Sequence, residues 1–173
     1  MTDKRKRKRI AIVGGNFAGL TAAIKLSRRY AVTVIDPTKH FEWVPNIHEI
    51  LSSVKTPQGL RLDRAAMVKQ AGHRFLRDRV TALQLAQRRL VTAGGRELEF
   101  DACIVAVGAV WNTHHIPGVT RYAMPFRNVI DAQLQEALFG FQKQMGVVAT
   151  IKNEESSKSA ALAEALSGNK KIV

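Results

Sequence analysis

Residues 10–20 read IAIVGGNFAGL, and residues 32–36 read VTVID. The continuous apolar run Ile10–Val13 predicts a strand that is covered on both faces. The glycines allow a sharp turn into a helix, after which the apolar run Val32–Ile35 predicts a second buried strand. A strand, a glycine turn, a helix and a strand that ends in an acid are together typical of a unit that binds a dinucleotide.

Each part of this pattern has a physical role in binding. We expect Gly14 to allow the sharp turn, and Gly19 to remove the side chain where the helix packs close to the strand. The first turn of the helix offers unpaired N–H groups and the positive end of its dipole to a pyrophosphate. Asp36 falls where a carboxylate accepts hydrogen bonds from ribose hydroxyls.

The glycine pattern departs from Gly-x-Gly-x-x-Gly at its middle position, where this chain has Asn16. Asn adopts unusual backbone angles more readily than most residues, but its side chain predicts looser packing against the phosphates. An α/β unit with a glycine-rich turn and no nucleotide is the alternative interpretation. The strand, the helix and the acid stand in register around the turn, which favours the dinucleotide site.

Local signals predict the next elements of the chain. The first helix should run from about Phe17 to Arg29, with an inner stripe of Leu20, Ala23, Ile24 and Ser27. Residues 41–45 predict a loop with large side chains, and Asn46 is a candidate N-cap for a short helix. Asp63 is expected to open another helix, which Gly72 closes.

The period of the apolar residues then changes. Alternating polarity from residue 74 to residue 100 predicts a small antiparallel meander of short strands. Within it, Gly94 and Gly95 predict a two-residue hairpin turn with positive φ at both positions. Residues 102–107 predict a further continuous apolar strand, which ends at Gly108.

Helical spacing returns in the last third of the chain. Asn128 or Asp131 is expected to cap a helix whose apolar stripe consists of Leu134, Ala137, Leu138, Phe141 and Met145. Residues 160–166 predict a short Ala-rich helix, and residues 170–173 predict the opening of another strand.

These elements divide the chain into three parts. We expect residues 1–9 to form a basic tail, and residues 10–145 to form a Rossmann-like α/β domain with a parallel sheet and the small meander. We expect residues 146–173 to form a linker helix followed by the first strand of a further, truncated domain.

The composition bounds the class of protein. The chain has 173 residues, of which 46% are hydrophobic, enough for one domain with a real core. It has no apolar run of the ~20 residues that cross a membrane and no signal-peptide pattern, so we expect a cytoplasmic protein. The single cysteine, Cys103, is expected to be a small core residue. The histidines have no spacing typical of a metal site.

The formal net charge is +13, and much of it comes from the run Lys4–Arg9. Such a run is typical of a nuclear-localisation tract, of a nucleic-acid patch or of a contact with an anionic membrane surface. A solvated, mobile tail is the alternative. Few aromatic residues interleave with the other basic residues, so nucleic acid is not the expected partner.

The motifs resemble the FAD-binding region of flavoproteins with two dinucleotide folds. The nearest groups are type II NADH dehydrogenases and relatives of apoptosis-inducing factor, over about residues 8–140. The resemblance rests on the glycine turn with Asp36, the Pro45 loop, the meander and the segment FDACIVAVG at residues 100–108, followed by IPG at 116–118. Val107 replaces the threonine of the family pattern, which removes one hydroxyl contact. Residues 126–132, FRNVIDA, also resemble the family segment that leads toward the NAD domain.

The resemblance implies an FAD site residue by residue. The glycine turn would wrap the pyrophosphate, Asp36 would hold the adenosine ribose with Lys39 near it, and Pro45 would lie near the isoalloxazine ring. The Val80 backbone would flank the adenine. The end of the apolar strand would pass close to the cofactor through Ala106, Val107 and Gly108. The turn residues implied in the site are Gly14, Gly15, Asn16, Phe17, Ala18 and Gly19.

The resemblance also implies an FAD-dependent NAD(P)H oxidoreductase. In the intact relative, NAD(P)H would reduce FAD and a quinone-like acceptor would reoxidise it. The flavin carries that chemistry, so no side chain is a catalytic candidate. Cys103 alone cannot supply the cysteine pair of the disulfide or sulfide:quinone reductases. Family members have a second, NAD(P)H-binding fold, and we expect this chain alone to be inactive. The alternatives are a non-catalytic FAD- or NAD-binding module and a basic adaptor with a Rossmann-like fold.

Overall fold

The computed structural model describes residues 7–110 and 112–144. A sheet of four parallel strands organises this part of the chain: β1 (Arg9–Val13), β2 (Ala31–Asp36), β5 (Arg74–Arg77) and β9 (Ala102–Val105). Their order in the sheet is β5-β2-β1-β9. The central strand β1 is apolar and buried in its middle, as its sequence predicts. The α/β class and the first two strands are therefore confirmed.

The position of strand β5 differs from the prediction. Residues 74–77 were expected to belong to the antiparallel meander, but they pair in parallel with β2, Phe75 beside Val34 and Leu76 beside Ile35. Leu76 is buried in the core beneath the sheet. Short alternating segments do not reveal their partner strand, because the same alternation suits a parallel edge strand and a hairpin.

The first helix, α1, spans Phe17–Lys25 and ends earlier than predicted. Leu20 and Ala23 are buried as expected, but Ile24 is 59% exposed. The backbone becomes extended at Leu26, whose side chain packs against the core. The helix ends there because the chain must return to the start of β2.

The close contact of α1 with the glycine turn explains two of the predicted glycines. Gly14 has φ +98°, and a Cβ on it would lie 2.2 Å from the carbonyl oxygen of Ala106. A Cβ on Gly19 would lie 1.9 Å from the carbonyl oxygen of Gly14. The turn is therefore packed between the end of the β9 segment and the helix, with no space for a side chain on either side.

The segment after β2 is more ordered than the sequence suggested. Strand β3 (His40–Glu42) pairs in an antiparallel manner with β4 (Arg61–Asp63), so part of the expected loop at residues 41–45 is a strand. Phe41 is buried there. Between the strands lie two short 3₁₀ turns and the helix α2 (His48–Leu51).

The predicted caps in this region have different outcomes. Asn46 does not cap α2, because its side chain accepts a hydrogen bond from Trp43 Nε1 at 2.7 Å and donates one to Glu49. Asp63 does cap the helix α3 (Arg64–Gln70), accepting from the Ala66 N–H at 2.8 Å. Gly72 follows α3 with φ +85°. The predicted boundaries of α3 are confirmed.

The antiparallel meander is confirmed as β6 (Val80–Gln84), β7 (Arg89–Thr92) and β8 (Glu97–Glu99). Its turn differs from the prediction. Gly95 has a positive φ of +75°, whereas Gly94 does not have a positive φ. The N–H of Gly95 bonds to the carbonyl of Thr92. The loop is thus an ordinary turn with one left-handed residue, which needs one glycine rather than two.

The apolar strand β9 ends at Val105, before the predicted end at residue 107. It is an edge strand of the sheet, and Val105 and Val107 are 60% and 68% exposed. The predicted apolar strand is therefore confirmed, although it is shorter than predicted and lies at an exposed edge of the sheet. Cys103 is half-buried, and burial raises the pKa of its thiol.

One short helix, α4 (Val119–Tyr122), lies between β9 and α5 (Val129–Gln144), the last helix of the described residues. Asn128, the first of the two predicted caps, accepts from the Asp131 N–H at 2.8 Å. Asp131 instead accepts from the backbone and side chain of Arg127.

The buried face of α5 is not the predicted stripe. Leu134 and Leu138 are exposed, whereas Val129 and Ala132 are fully buried against residues of α2. The register differs because α5 contacts the rest of the domain through its first turn. Several predicted features lie outside the described residues: the side chains of Phe141 and Met145, residues 4–6, and the elements predicted within 146–173. Within the described part, no helix is long and apolar enough to cross a membrane.

We predict that Gly14→Ala will prevent folding or lower the free energy of unfolding by several times the loss caused by Gly95→Ala. Both positions have positive φ, which costs a side chain about 1–3 kcal/mol, but only Gly14 has backbone in the space of the new Cβ. Urea denaturation followed by circular dichroism measures both variants. Equal losses would contradict the close contact with Ala106.

Candidate functional site

A cleft of about 360 Å³ lies at the carboxyl ends of the parallel strands. Ligands of open parallel sheets bind at this edge. The cleft brings together six of the residues predicted for the cofactor: Gly14, Asn16, Asp36, Val80, Ala106 and Val107. Thr38, Arg64, Asp78 and Arg79 also line it, and none of these four was predicted.

A second cleft of about 400 Å³ adjoins the first. Its lining is basic, with Lys39, Arg61 and Arg127 around the side chain of Glu42. Three residues line both clefts: Asn16, Thr38 and Arg64. Lys39 was predicted beside the adenosine ribose, but it lines this second cleft and not the one that contains Asp36. The two clefts meet at Asn16, where α1 begins.

The start of α1 has the features expected of an anion site. Asn16 is the N-cap residue, but its side chain makes no capping hydrogen bond, and the first turn contains no acidic residue. The N–H groups of this turn are therefore not satisfied by a side-chain cap, and the helix dipole adds a positive partial charge. Asn16 is exposed, so its side chain borders the clefts without closing them.

Other predicted residues lie around the clefts rather than in their walls. Gly15 and Gly19 are buried behind the turn, and Gly108 lies beyond the cleft with φ +78°. Ala18 is exposed on α1. Pro45 is exposed in a 3₁₀ turn, one residue from Val44, which lines the second cleft.

Phe17, the first residue of α1, belongs to an aromatic cluster with Phe41 and Trp43. Its ring lies edge-on to Phe41 with 4.9 Å between centroids and 5.6 Å from Trp43. Phe41 is buried, whereas Phe17 and Trp43 are 41% and 44% exposed. The cluster therefore has a packed inner side and an apolar outer side near Pro45.

The Asp36 carboxylate is bound to protein donors on both oxygens. Oδ2 accepts the Gly15 N–H at 2.8 Å. Oδ1 accepts the Thr38 N–H at 2.8 Å and its hydroxyl at 2.7 Å, and it also accepts a hydrogen bond from Arg64. Asp36 thus links the glycine turn to the segment that follows β2.

Arg64 is the residue that the sequence interpretation missed. It is 3% exposed, and its Nη1 donates to Asp36, to the Thr38 carbonyl and to the Thr38 hydroxyl. Burial lowers the pKa of the guanidinium, while the charges of Asp36 and Glu42 act in the opposite direction. One signal was present in the sequence. Arg64 follows the cap Asp63 directly and so lies at the positive end of the α3 dipole. A cation is unfavourable there unless an acidic partner offsets the repulsion.

The far wall of the first cleft holds a second fixed carboxylate. Asp78 accepts hydrogen bonds from the backbone N–H groups of Arg79 and Gly94. Hydrogen bonds from Thr92 and from these N–H groups hold the pKa of Asp78 below its usual range. Because these bonds fix the loop before β6, they also fix the Val80 backbone at the cleft.

The described residues contain no group of three or more acidic, histidine or cysteine side chains that could hold a metal ion. The clefts are instead bordered by the backbone N–H groups that begin α1, by the Asp36 carboxylate and by the cations Lys39, Arg61 and Arg127.

Sequence relatives of this chain are quinone reductases. It is 26% identical over 147 residues to the alternative NAD(P)H-ubiquinone oxidoreductase C1 of Arabidopsis thaliana, covering 73% of this chain and 28% of that protein. It is 25% identical over 143 residues to the demethylphylloquinone reductase NdbB of Synechocystis, covering 76% and 35%. The chain therefore spans about a third of the length of these relatives.

Solved structures share the fold. NDH2 of Plasmodium falciparum in complex with NADH matches with a TM-score of 0.64 and 22% identity, over 74% of this chain and 28% of that one. The sulfide:quinone oxidoreductase of Aquifex aeolicus matches with a TM-score of 0.71 and 15% identity, over 79% and 32%. At these identities the likeness concerns the fold, which is the Rossmann-like fold of FAD-binding oxidoreductases. The family model described as pyridine nucleotide-disulphide oxidoreductase matches residues 8–151, and this chain belongs to that family.

Proposed function

We propose that this chain is the FAD-binding part of a flavin-dependent NAD(P)H oxidoreductase that passes electrons to a quinone-like acceptor. The observation that carries the proposal is the pair of adjoining clefts, which meet at the uncapped start of α1. A single mononucleotide would occupy one cleft, whereas an elongated dinucleotide extends through both. The quinone reductases among the relatives support electron transfer from NAD(P)H to a quinone-like acceptor.

The residues fit FAD in a definite order. Asp36 and the Val80 backbone would hold the adenosine in the first cleft, and the N–H groups that begin α1 would hold the pyrophosphate. Gly14 and Gly19 leave this turn close to the sheet, so that no Cβ separates the phosphates from the helix start. The flavin end would extend toward Pro45 and the exposed sides of Phe17 and Trp43. The turn residues Gly15 and Ala18 complete the loop around the pyrophosphate.

The basic lining of the second cleft complements the negative charge of the ligand. Lys39 and Arg61 line this cleft together with Asn16, within the same concavity as the helix start. We assign Lys39 to the phosphates rather than to the adenosine ribose. Val107 and Gly108 follow the carboxyl end of β9. Because Val107 has no hydroxyl, backbone groups would make the contact to FAD that the threonine of the family pattern makes.

FAD, when bound, supplies the hydride and electron transfer, so the part of this chain is to bind and orient it. NAD(P)H is the proposed co-substrate and a quinone-like molecule the proposed acceptor of the whole protein. A non-catalytic module that holds FAD or NAD for a partner is the second candidate. The uncapped helix start favours both candidates equally, and turnover by the whole protein would separate them.

We also propose that the basic run Lys4–Arg9 contacts an anionic membrane surface. Arg7 and Lys8 are exposed at the amino end of β1, the edge of the sheet opposite the clefts. The Arg7 guanidinium donates to the carbonyls of Arg28 and Tyr30, which holds this residue of the run against the amino end of the sheet. A membrane bound at this edge leaves the clefts open.

The cofactor prediction is that the chain binds FAD in preference to NAD and that Asp36→Ala weakens FAD binding by about ten- to a hundredfold. Charge-assisted hydrogen bonds of this kind contribute about 1.5–3 kcal/mol. Equilibrium dialysis measures both affinities, with FAD followed by its visible absorption and NAD by its ultraviolet absorption. Asp101→Ala, which removes an acid paired with Arg9 at the other edge of the sheet, is the control and should bind normally. Tight NAD binding without FAD binding would contradict the assignment.

The activity prediction is that the 173-residue chain, loaded with FAD, oxidises NADH no faster than free FAD with a soluble quinone. Hydride transfer needs the nicotinamide held against the flavin, and we assign that task to parts of the whole protein that the relatives have beyond this length. Stopped-flow absorbance of NADH measures the rate. Saturable turnover by the pure chain would overturn this assignment.

The membrane prediction is that the chain sediments with vesicles that contain about 30% phosphatidylserine and not with neutral vesicles. Replacing Lys4, Arg5 and Lys6 by Gln should weaken binding by about a hundredfold, because each cation near the surface contributes about 1 kcal/mol. Replacing the exposed residues Lys25, Lys55 and Lys69 by Gln is the charge-matched control. Equal losses in both triple variants would show that net charge, rather than this run, governs binding.

A further inference from the structure

The Asp36 carboxylate has few acceptor positions left for a ligand. A carboxylate offers about four such positions, two on each oxygen. Oδ1 already receives the Thr38 N–H, the Thr38 hydroxyl and Arg64. Oδ2 receives the Gly15 N–H alone. The arrangement therefore leaves room for one further donor, on Oδ2, the oxygen that faces the glycine turn.

Arg64 determines this arrangement. Its Nη1 binds both Asp36 and Thr38, and its backbone N–H donates to the Lys39 carbonyl at 3.1 Å. The same side chain lies against the glycine turn, where a Cβ on Gly15 would be 2.6 Å from Arg64 Cδ. One buried guanidinium thus joins the turn, the segment after β2 and the start of α3.

The burial of this pair has an energetic consequence. The side chains of Arg64 and Asp36 are 4% and 13% exposed, so each depends on the other to offset the loss of water. Without Arg64, the carboxylate would have weaker restraints on its rotamer, and Oδ1 would lose a charged donor. Both oxygens would then be open to other donors, including water.

We propose that Arg64 is a positioning residue of the cofactor site, which holds the Asp36 carboxylate so that Oδ2 receives a single ribose hydroxyl. The proposal rests on the proposed FAD site and adds to it a specificity for one of the two hydroxyls of the adenosine ribose. Arg64 acts through Asp36 and Gly15. Fixing an acceptor before binding lowers the cost of ordering it, and it also selects the hydroxyl that the acceptor can reach.

Titration calorimetry with ADP, the adenosine half of FAD, and with its 2′-deoxy and 3′-deoxy analogues tests the proposal on the full chain. The wild-type chain should bind one deoxy analogue about tenfold more weakly than ADP and the other nearly as well as ADP. In Arg64→Met the two analogues should differ by less than about twofold, because the carboxylate is no longer fixed. Arg28→Met is the matched control, since Arg28 also bonds to α3, at the Gln70 carbonyl, but precedes the amino end of β2, whereas Asp36 lies at its carboxyl end. It should keep the wild-type discrimination.

The difference in affinity between the two analogues distinguishes a positioning role of Arg64 from a purely structural one. Loss of folded protein would lower the binding of ADP and of both analogues alike and would leave that difference unchanged. If Arg64→Met does not fold, Arg64→Lys replaces it in the test. The affinities of Arg64→Lys for the two deoxy analogues should then differ by about threefold or less, because an ammonium cannot reproduce the planar set of donors. An unchanged difference in the folded variants overturns the proposal and leaves the FAD site intact. Failure of the wild-type chain to bind either ADP or FAD overturns the proposed function, and this inference with it.

Discussion

The packing of the glycine turn is the constraint on which the rest of the structure depends. The Gly14 peptide lies between the Ala106 carbonyl on one side and Gly19 of the helix on the other, with no room for a Cβ on either glycine. This contact lets α1 begin directly above the end of β1 and brings β9 to the same edge. The clefts, the helix start and the Asp36 carboxylate converge there because the turn is this narrow.

The sequence predicted well those features whose cause is local. The apolar run of β1, the Asp63 cap and the left-handed Gly72 each follow from a few adjacent residues, and the structure has all three. The same holds for the glycine turn and for the Asp36 position at the end of β2. The adjoining clefts then unite Asn16 and Asp36 with Val80, residues that are far apart in the chain.

The sequence predicted poorly what depends on distant partners. The parallel pairing of β5, the early end of α1 and the buried face of α5 are each decided by the element that packs against them. Arg64 was missed for the same reason: its partners, Asp36 and Thr38, precede it by more than twenty residues. An arginine at the start of a helix was the one local sign that such a partner existed.

The exposed outer edge of β9 has a consequence for how copies of this chain meet. In the part of the chain that the structure describes, β9 pairs with β1 only, and its far side presents main-chain donors and acceptors beside the apolar Val105 and Val107. The opposite edge strand, β5, begins and ends with exposed arginines, Arg74 and Arg77, which repel a like strand. Edge-to-edge aggregation of the isolated chain would therefore proceed through one side of the sheet, and capping that side would raise the concentration at which the protein stays dispersed.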